Sequence, residues 1–287
     1  MYSADVRRHA VALIGRGISL RSISLSTGIS RATLRDWREH PEGSANPRAV
    51  CPRCAANPTL PEPQADYAYL LGLYLGDGCI SWAGARDKKV WKLRIMCADA
   101  WPGLRQDCER AMSTVRPGSK VSTQQKVGCT EVASSSRHWP CLFPQHGPGR
   151  KHMRKIELQP WQRTIVTANP GRFARGLFHS DGYRGINRVR ARLADGDHWY
   201  EYPRYLFTNE STDILRLCGE VLDQLGVAWR FSRRNAISVA RRGAVARLDE
   251  FVGPKYLDCR GHARINRENA QSATPCRARP TRSAGRG

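Results

Sequence analysis

Acidic residues are scarce in this sequence. Only 25 Asp+Glu stand against 47 Lys+Arg, which leaves a formal charge of +22. Such a surplus disfavours a cationic partner and points to a polyanion, most simply nucleic acid. Lysine is scarce as well, with 8 residues against 39 arginines. GC-rich coding favours Arg over Lys, but it does not create an excess of base over acid. No apolar run approaches the roughly 18 residues of a membrane span, and Met1 to Arg8 lacks the apolar stretch of a signal peptide. A cytoplasmic, nucleoid-associated protein is therefore expected, in which the ten cysteines are thiols or metal ligands rather than disulfides. What is present excludes full disorder: 40% of the residues are hydrophobic and eight are Trp. A length of 287 residues suits about two domains, with room for a small module.

Four kinds of segment follow one another. Residues 1–40 read as helices. Val6, Ala10, Leu13 and Ile14 recur at helical spacing until Gly15 and Gly17 end the run. Ser19 caps a second predicted helix from Leu20 to Thr27, Gly28 makes a turn, and Ser30 caps a third from Arg31 to Glu39. Ile23, Ile29, Leu34 and Trp37, with the small Ser24 and Gly28, suit two helices crossing around a short turn. This resembles a helix-turn-helix DNA-binding module, whose second helix would offer Arg31, Thr33, Arg35 and Arg38 to a major groove; the plainer alternative is a small helical hairpin with a solvated face. Residues 41–64 hold six prolines and a Cys-x-x-Cys and read as a linker. Residues 65–253 alternate helical and strand-like runs. Residues 254–287 lack apolar periodicity, carry eight Lys/Arg against two acids, and read as a disordered basic tail.

Internal repetition is the strongest signal. Leu70-Leu-Gly-Leu-Tyr-Leu-Gly-Asp-Gly78 returns 104 residues later as Ala174-Arg-Gly-Leu-Phe-His-Ser-Asp-Gly182. Gly72 and Gly76, and likewise Gly176 and Ser180, lie four apart and form a small-residue stripe on one helix face. Such stripes let two helix backbones approach closely, and the natural partner of one stripe is the other. Each run ends in Asp-Gly, with Gly suited to the position past a helix end. An acid in the last turn opposes the helix dipole, and pairing the helices adds repulsion between Asp77 and Asp181. A divalent cation would offset both costs, and two carboxylates beside DNA phosphates make an oxygen-rich site suited to Mg²⁺ or Mn²⁺.

Both nine-residue runs resemble the motif of the LAGLIDADG (DOD-type) homing endonucleases, in the single-chain form with two motifs. The sixth motif position is Leu75 and His179 here, and Arg175 stands where an apolar residue is usual, but both terminal acids are present. The resemblance spans residues 65–253. It implies an α+β fold of two pseudo-symmetric αββαββα repeats, at 65–143 and 170–253, joined by a basic connector at 144–169. It further implies motif helices packed at a pseudo-twofold axis, Asp77 and Asp181 as catalytic metal ligands, and two sheets forming a saddle in the major groove of double-stranded DNA. A monomeric pseudo-dimer that hydrolyses phosphodiester bonds follows. A non-cleaving transcriptional regulator on the same scaffold is the alternative, and a binder of structured RNA a third. The regulator has no use for two facing carboxylates beside phosphate. An intein would need a nucleophilic first residue, and the chain starts Met1-Tyr2 and ends Arg286-Gly287, so a free-standing protein is expected.

The remaining pattern agrees with that order. Strands are expected near 79–82, 91–97, 119–125, 129–135, 184–193, 199–208, 226–232 and 235–241, with helices at 103–115, 212–225 and 243–252. Lys92 and Arg94 alternate with Leu93 and Ile95. Arg188, Arg190 and Arg192 alternate with Val189, Ala191 and Leu193, and Arg230 and Arg234 continue the theme around Trp229 and Phe231. Alternation of this kind predicts one buried and one basic face per sheet, the latter fit for phosphate and guanine contacts. Lys88, Lys89, Lys120 and Arg137 are candidates for the basic groups beside a scissile phosphate. His179 reads as a packed or surface residue rather than a base. Cys79, Cys97, Cys108 and Cys218 sit in apolar patterns and read as core. Cys51-Pro-Arg-Cys54 is half of a zinc pattern, with Cys141 and His146, or His138 and His152, as candidates for the other half; two free thiols in a linker are the plainer alternative.

Overall fold

The computed structural model describes residues 2, 4–41, 51–84, 89–193 and 196–253. The expected basic tail at 254–287, residues 42–50 of the Pro-rich segment and Lys88 lie outside the described residues. The chain divides into two compact units, Met1–Val50 and Cys51–Gly287.

The first unit holds α1 (Ala4–Gly15), α2 (Leu20–Thr27) and α3 (Arg31–Glu39). The Ser19 and Ser30 hydroxyls accept the backbone N–H of Ser22 and Thr33, each at 3.1 Å. These bonds satisfy donors that a helix start otherwise leaves unpaired. Gly28 closes α2 in the left-handed region at φ 70°, where a side chain would be strained. Ala10, Ile23, Ile29, Leu34 and Trp37 are buried together and form a small core of their own.

The second unit carries the repeat. Its first copy runs α4 (Gln64–Asp77), β1 (Gly78–Trp82), β2 (Trp91–Ala98), α5 (Pro102–Val115), β3 (Val121–Lys126), β4 (Cys129–Ser136) and α6 (Trp139–Leu142). After α7 (Pro160–Ala168), the second copy runs α8 (Pro170–Asp181), β5 (Gly182–Leu193), β6 (Gly196–Thr208), α9 (Thr212–Gln224), β7 (Arg230–Arg233), β8 (Ala236–Val239) and α10 (Arg242–Val252). Each copy is αββαββα, as expected. Each builds a four-stranded sheet in the same order, β1-β2-β4-β3 and β5-β6-β8-β7, with antiparallel pairing throughout. One hydrophobic core spans both copies. Every residue of α4 from Tyr67 to Leu75 is buried, which marks a helix enclosed on all sides.

Two expectations for this unit need correction. Residues 144–169 are no simple connector, because they contain α7, and Ile156, Leu158, Ile165 and Val166 are buried in the common core. The Gln162 side chain donates to Tyr67 Oη at 2.8 Å and accepts from Gln145 Nε2 at 2.5 Å, so a buried polar network holds the segment against α4. Gln159 and Gln162 also form the capping box that starts α7. Residues 51–64 are not wholly linker either. Cys51 is buried, Leu60 packs on the core, and the Arg53 guanidinium lies 4.6 Å from the Trp161 ring centre.

Candidate functional site

The small-residue stripes of α4 and α8 meet face to face. A Cβ placed on Gly72 would stand 2.6 Å from Phe173 O and 2.7 Å from Leu177 N, and one on Gly176 would stand 2.9 Å from Gly72 Cα. A Cβ on Gly76 would collide with the Ser180 side chain and stand 2.8 Å from Asp181 Oδ2. Only glycine permits this approach. Charged clamps flank it: Arg172 donates to Asp66 at 2.8 Å, and Arg175 to Asp107 at 2.9 Å. The departure of Arg175 from an apolar motif position thus has a structural use, since it ties α8 to α5 of the other copy.

Because the helices adjoin along their length, both acids stand at their C-terminal ends. Asp77 closes α4 and is exposed; Asp181 closes α8, is half-buried, and accepts Asn209 Nδ2 at 2.7 Å. Between them the structure places a residue that sequence reasoning missed. Lys151 donates from Nζ to the carbonyls of Tyr74 (2.5 Å) and Gly76 (2.7 Å), two acceptors at the end of α4. A cation there also complements the helix dipole. Burial pulls the Lys151 ammonium down to about 8, against the opposing pull of Asp181 and Asp77. Lys89, Lys120 and Arg137, the basic groups expected in this role, are exposed side chains outside the residues that line the cleft. The cleft is ≈ 540 Å³, and Asp181, Lys151, Asn209, Glu210, His146 and Arg154 are among its walls.

His179 is buried and fully engaged. Its Nδ1 lies 3.0 Å from the Tyr69 hydroxyl and its Nε2 3.1 Å from the Val252 carbonyl. The carbonyl only accepts, so Nε2 carries the proton and Nδ1 takes the tyrosine hydrogen. This histidine is packed between α4 and α10.

Lys151 gives a stability prediction with a definite sign. Its folded value, about 8, lies below its ordinary 10.5. Between the two the unfolded chain binds the extra proton, so this group's contribution to stability rises with pH, and its cost is complete below about pH 8. The stability difference between wild type and Lys151→Met should therefore shift in favour of wild type as the pH rises from 7 to 10.5. The swing should be about 1–3 kcal/mol. Paired thermal melts across this range check it, and a pH-independent difference would contradict the buried ammonium.

The strand register sorts the basic residues into two groups. On the first sheet Leu93, Ile95 and Cys97 are buried against the helices, which leaves Lys92 and Arg94 on the outer face. Arg94 donates to Ser81 Oγ at 2.7 Å and Lys92 to Glu131 at 2.8 Å. On the second sheet Tyr205 and Phe207 face the core and pair with Arg184 and Gly182. Arg188, Arg190 and Arg192 follow in the same alternation and fall on that helix-side register, not on the outer face expected for them. The reason is length: β5 and β6 outrun the helices beneath them. Ile186 and Val189 are both exposed there, so alternation no longer distinguishes core from solvent. Arg188 and Arg190 also pair with Glu201 and Asp197 of the neighbouring strand. The outer face of the second sheet instead carries Arg204, bonded to Ser238 at 2.9 Å, and Arg230 and Arg233, opposite Ser238 and Ala236. Arg234 lies in the β7–β8 turn, 3.6 Å from Glu210.

In the first unit Arg31, Arg35 and Arg38 are exposed on α3, while Thr33 is half-buried and bonds Ser30. Cys97, Cys108 and Cys218 are buried, but Cys79 is exposed, because its strand position puts it on the outer face beside Arg94. Cys51 and Cys54 meet His138 and Cys141, rather than either pair expected from spacing. His146 instead turns its ring edge to Trp91 and lines the cleft.

Among solved structures the chain is similar to homing endonucleases. With I-DmoI in complex with DNA and Ca it shares 16% identity, over 67% of this chain and 91% of that one, at a TM-score of 0.42. With the LAGLIDADG meganuclease I-AabMI bound to uncleaved DNA it shares 12% identity, over 66% and 83%, at 0.41. No family model and no curated protein matches the chain. Among the described residues, no helix is long and apolar enough to cross a membrane.

Proposed function

We propose that the protein is a sequence-specific endonuclease of double-stranded DNA that depends on a divalent cation. The observation that carries this reading is the pair of carboxylates, Asp77 and Asp181, at the adjoining ends of two helices packed through Gly72 and Gly176. Acids at helix C-termini oppose the dipole and repel each other. The donors there are hard oxygens, with no thiol or imidazole needed, which suits Mg²⁺ or Mn²⁺. A cation held by Asp77 and Asp181 would supply an activated water and charge stabilisation at the leaving 3′-oxygen.

The chain's own residues supply the rest. Asn209 orients Asp181 through its amide. Lys151, held by two backbone carbonyls, keeps a positive charge beside the acids, where phosphate charge rises in the transition state. The outer faces of the two sheets carry Lys92, Arg94, Arg204, Arg230 and Arg233 towards the duplex, while Arg188, Arg190 and Arg192 extend the basic surface along the β5–β6 hairpin. In the first unit α3 offers Arg31, Arg35 and Arg38 to a second stretch of groove, and tethering the two units raises affinity through effective concentration. That three-helix unit also suits a non-cleaving regulator, the second reading, which differs only in what happens at the acids.

The test is to select a duplex from a random pool in Ca²⁺ and then supply Mg²⁺. Double-strand breaks at a fixed position support the nuclease, and a bound duplex that stays whole leaves the regulator. Folded RNA that competes on equal terms would move the substrate class. In the same assay Arg94→Ala and Arg204→Ala should each weaken binding about tenfold, roughly 1–3 kcal/mol if they read bases. If they touch only phosphate, each should instead lower the salt slope by about one. Neither effect in either variant would remove the sheet faces from the interface.

A further inference from the structure

We propose that Cys51, Cys54, His138 and Cys141 form a structural zinc site that pins the start of the second unit to the corner between β4 and α6. The ligand atoms of these four residues all lie within 4.8 Å of one another. Cys54 Sγ is 2.8 Å from Cys141 Sγ and 3.4 Å from His138 Nδ1. Around a tetrahedral Zn²⁺ with Zn–S of about 2.3 Å and Zn–N of about 2.0 Å, neighbouring ligand atoms stand about 3.5–3.8 Å apart. Small side-chain adjustments would open the cluster to that size.

Three features separate this cluster from a chance gathering of thiols. First, its halves are built alike. Cys51-Pro-Arg-Cys54 and His138-Trp-Pro-Cys141 are both x-x-Cys turns. In the first, the N–H groups of Cys54 and Ala55 donate to Cys51 O at 3.0 and 3.1 Å. In the second, those of Cys141 and Leu142 donate to His138 O at 3.1 and 3.2 Å. Two matching turns thus aim four soft donors at one point, from positions more than 80 residues apart in the chain.

Second, the charge is provided for. Zn²⁺ with three thiolates and a neutral imidazole carries one net negative charge. Arg116, itself buried, donates from Nε to Ser136 Oγ at 3.3 Å, and that hydroxyl accepts the backbone N–H of His138 at 3.2 Å. A basic residue and a hydroxyl thereby fix the backbone of the turn that presents His138.

Third, the segment needs an anchor. Residues 54–59 are all exposed, and besides Cys51 the loop is tied by Arg53 on Trp161, by the Thr59 N–H donated to Pro52 O at 2.8 Å, and by Leu60 and Pro61. A Cys54–Cys141 disulfide would leave Cys51 and His138 without a role, whereas one ion employs all four. Three sulfurs and one nitrogen select zinc over a hard cation, and a closed set of four protein ligands leaves no position for substrate. None of the four lines the cleft beside Asp181. The site is therefore separate from the nuclease reading and stands whether or not the protein cuts DNA.

The experiment is metal analysis of the full chain purified without chelator. About one zinc per chain is expected, with X-ray absorption fitting three sulfurs at about 2.3 Å and one nitrogen. Exchange for Co²⁺ should give the intense visible bands of tetrahedral thiolate coordination. Cys54→Ser and Cys141→Ser should each lower zinc content at least fivefold, while Cys259→Ser and Cys276→Ser leave it unchanged. Chelation should lower the thermal midpoint, and added zinc should restore it. Metal-free protein with freely titrating thiols, a Cys54–Cys141 disulfide found by mass spectrometry, or zinc that survives both Ser substitutions would each overturn the site. If the Ser variants do not fold, the absorption and cobalt spectra of the wild-type chain decide alone.

Discussion

Asp77→Asn and Asp181→Asn should each abolish DNA cleavage, by about 10³-fold or more in single turnover, while changing the stability of the protein little. Asn keeps the size and much of the hydrogen bonding of Asp and removes only the charge. At the C-terminal end of α4 or α8 that charge is unfavourable by about 0.3–1 kcal/mol, and the second acid adds repulsion. Relief of both is offset by the loss of a charge that favours the Lys151 ammonium, so the thermal midpoint in metal-free buffer should move little. The same charge is what holds a divalent cation, so its removal eliminates cleavage. Binding to a selected duplex in Ca²⁺ should change by less than about tenfold, because affinity comes from many phosphate contacts. Loss of activity with little change in stability is the mark of residues kept for function rather than for folding. An Asn variant that cuts at the wild-type rate, or that loses several degrees of stability, would show the acids to be structural.

Gly176→Leu should be the most destabilising single change in the second unit. Any Cβ at this position meets Gly72 Cα at 2.9 Å and Leu73 N at 3.0 Å, and these are backbone atoms of the facing helix that no rotamer change can move. The helices would have to part along the line where the two repeats join. The buried residues Tyr67 to Leu75 of α4 and Phe173, Ala174, Leu177 and Phe178 of α8 pack across that line. A cost of about 3–5 kcal/mol follows from overpacking and lost contacts combined. Gly243 is the control, because a Cβ there meets nothing within 4 Å and its helix gains from Ala. Gly243→Ala should be neutral or stabilise by up to about 1 kcal/mol. Chemical denaturation of the three proteins checks the contrast, and equal stabilities would mean that the helices do not meet where the structure puts them.

Much of this architecture is legible in the residues. The repeated nine-residue run carries its own meaning, since small residues four apart require a close helix partner and the only comparable stripe lies 104 residues away. Caps at Ser19, Ser30 and Ser211 place helix starts because the bond they make is local. What was illegible depends on distant parts of the chain. The α7 helix hides beside the basic stretch 146–155, and its burial rests on Gln162 reaching Tyr67, 95 residues earlier. Lys151 looks like any other charge in that stretch until its two carbonyl partners are known. Arg188, Arg190 and Arg192 fall on the helix-side register because alternation reports a face only where a helix covers one side of the strand. His138 pairs with Cys141 as a ligand candidate through a turn that spacing suggests only after the first turn is seen beside it.

Strand-resolved cleavage of a selected duplex tests the central claim most directly. The complex would be assembled in Ca²⁺ with each strand labelled differently, then moved to Mg²⁺ and sampled over time. Two acids at one pseudo-symmetric centre predict cuts in both strands, a few base pairs apart, at one fixed position, and loss of both cuts in Asp77→Asn and in Asp181→Asn. Tight binding with both strands intact would contradict the account and leave a DNA-binding protein whose carboxylates serve some other purpose.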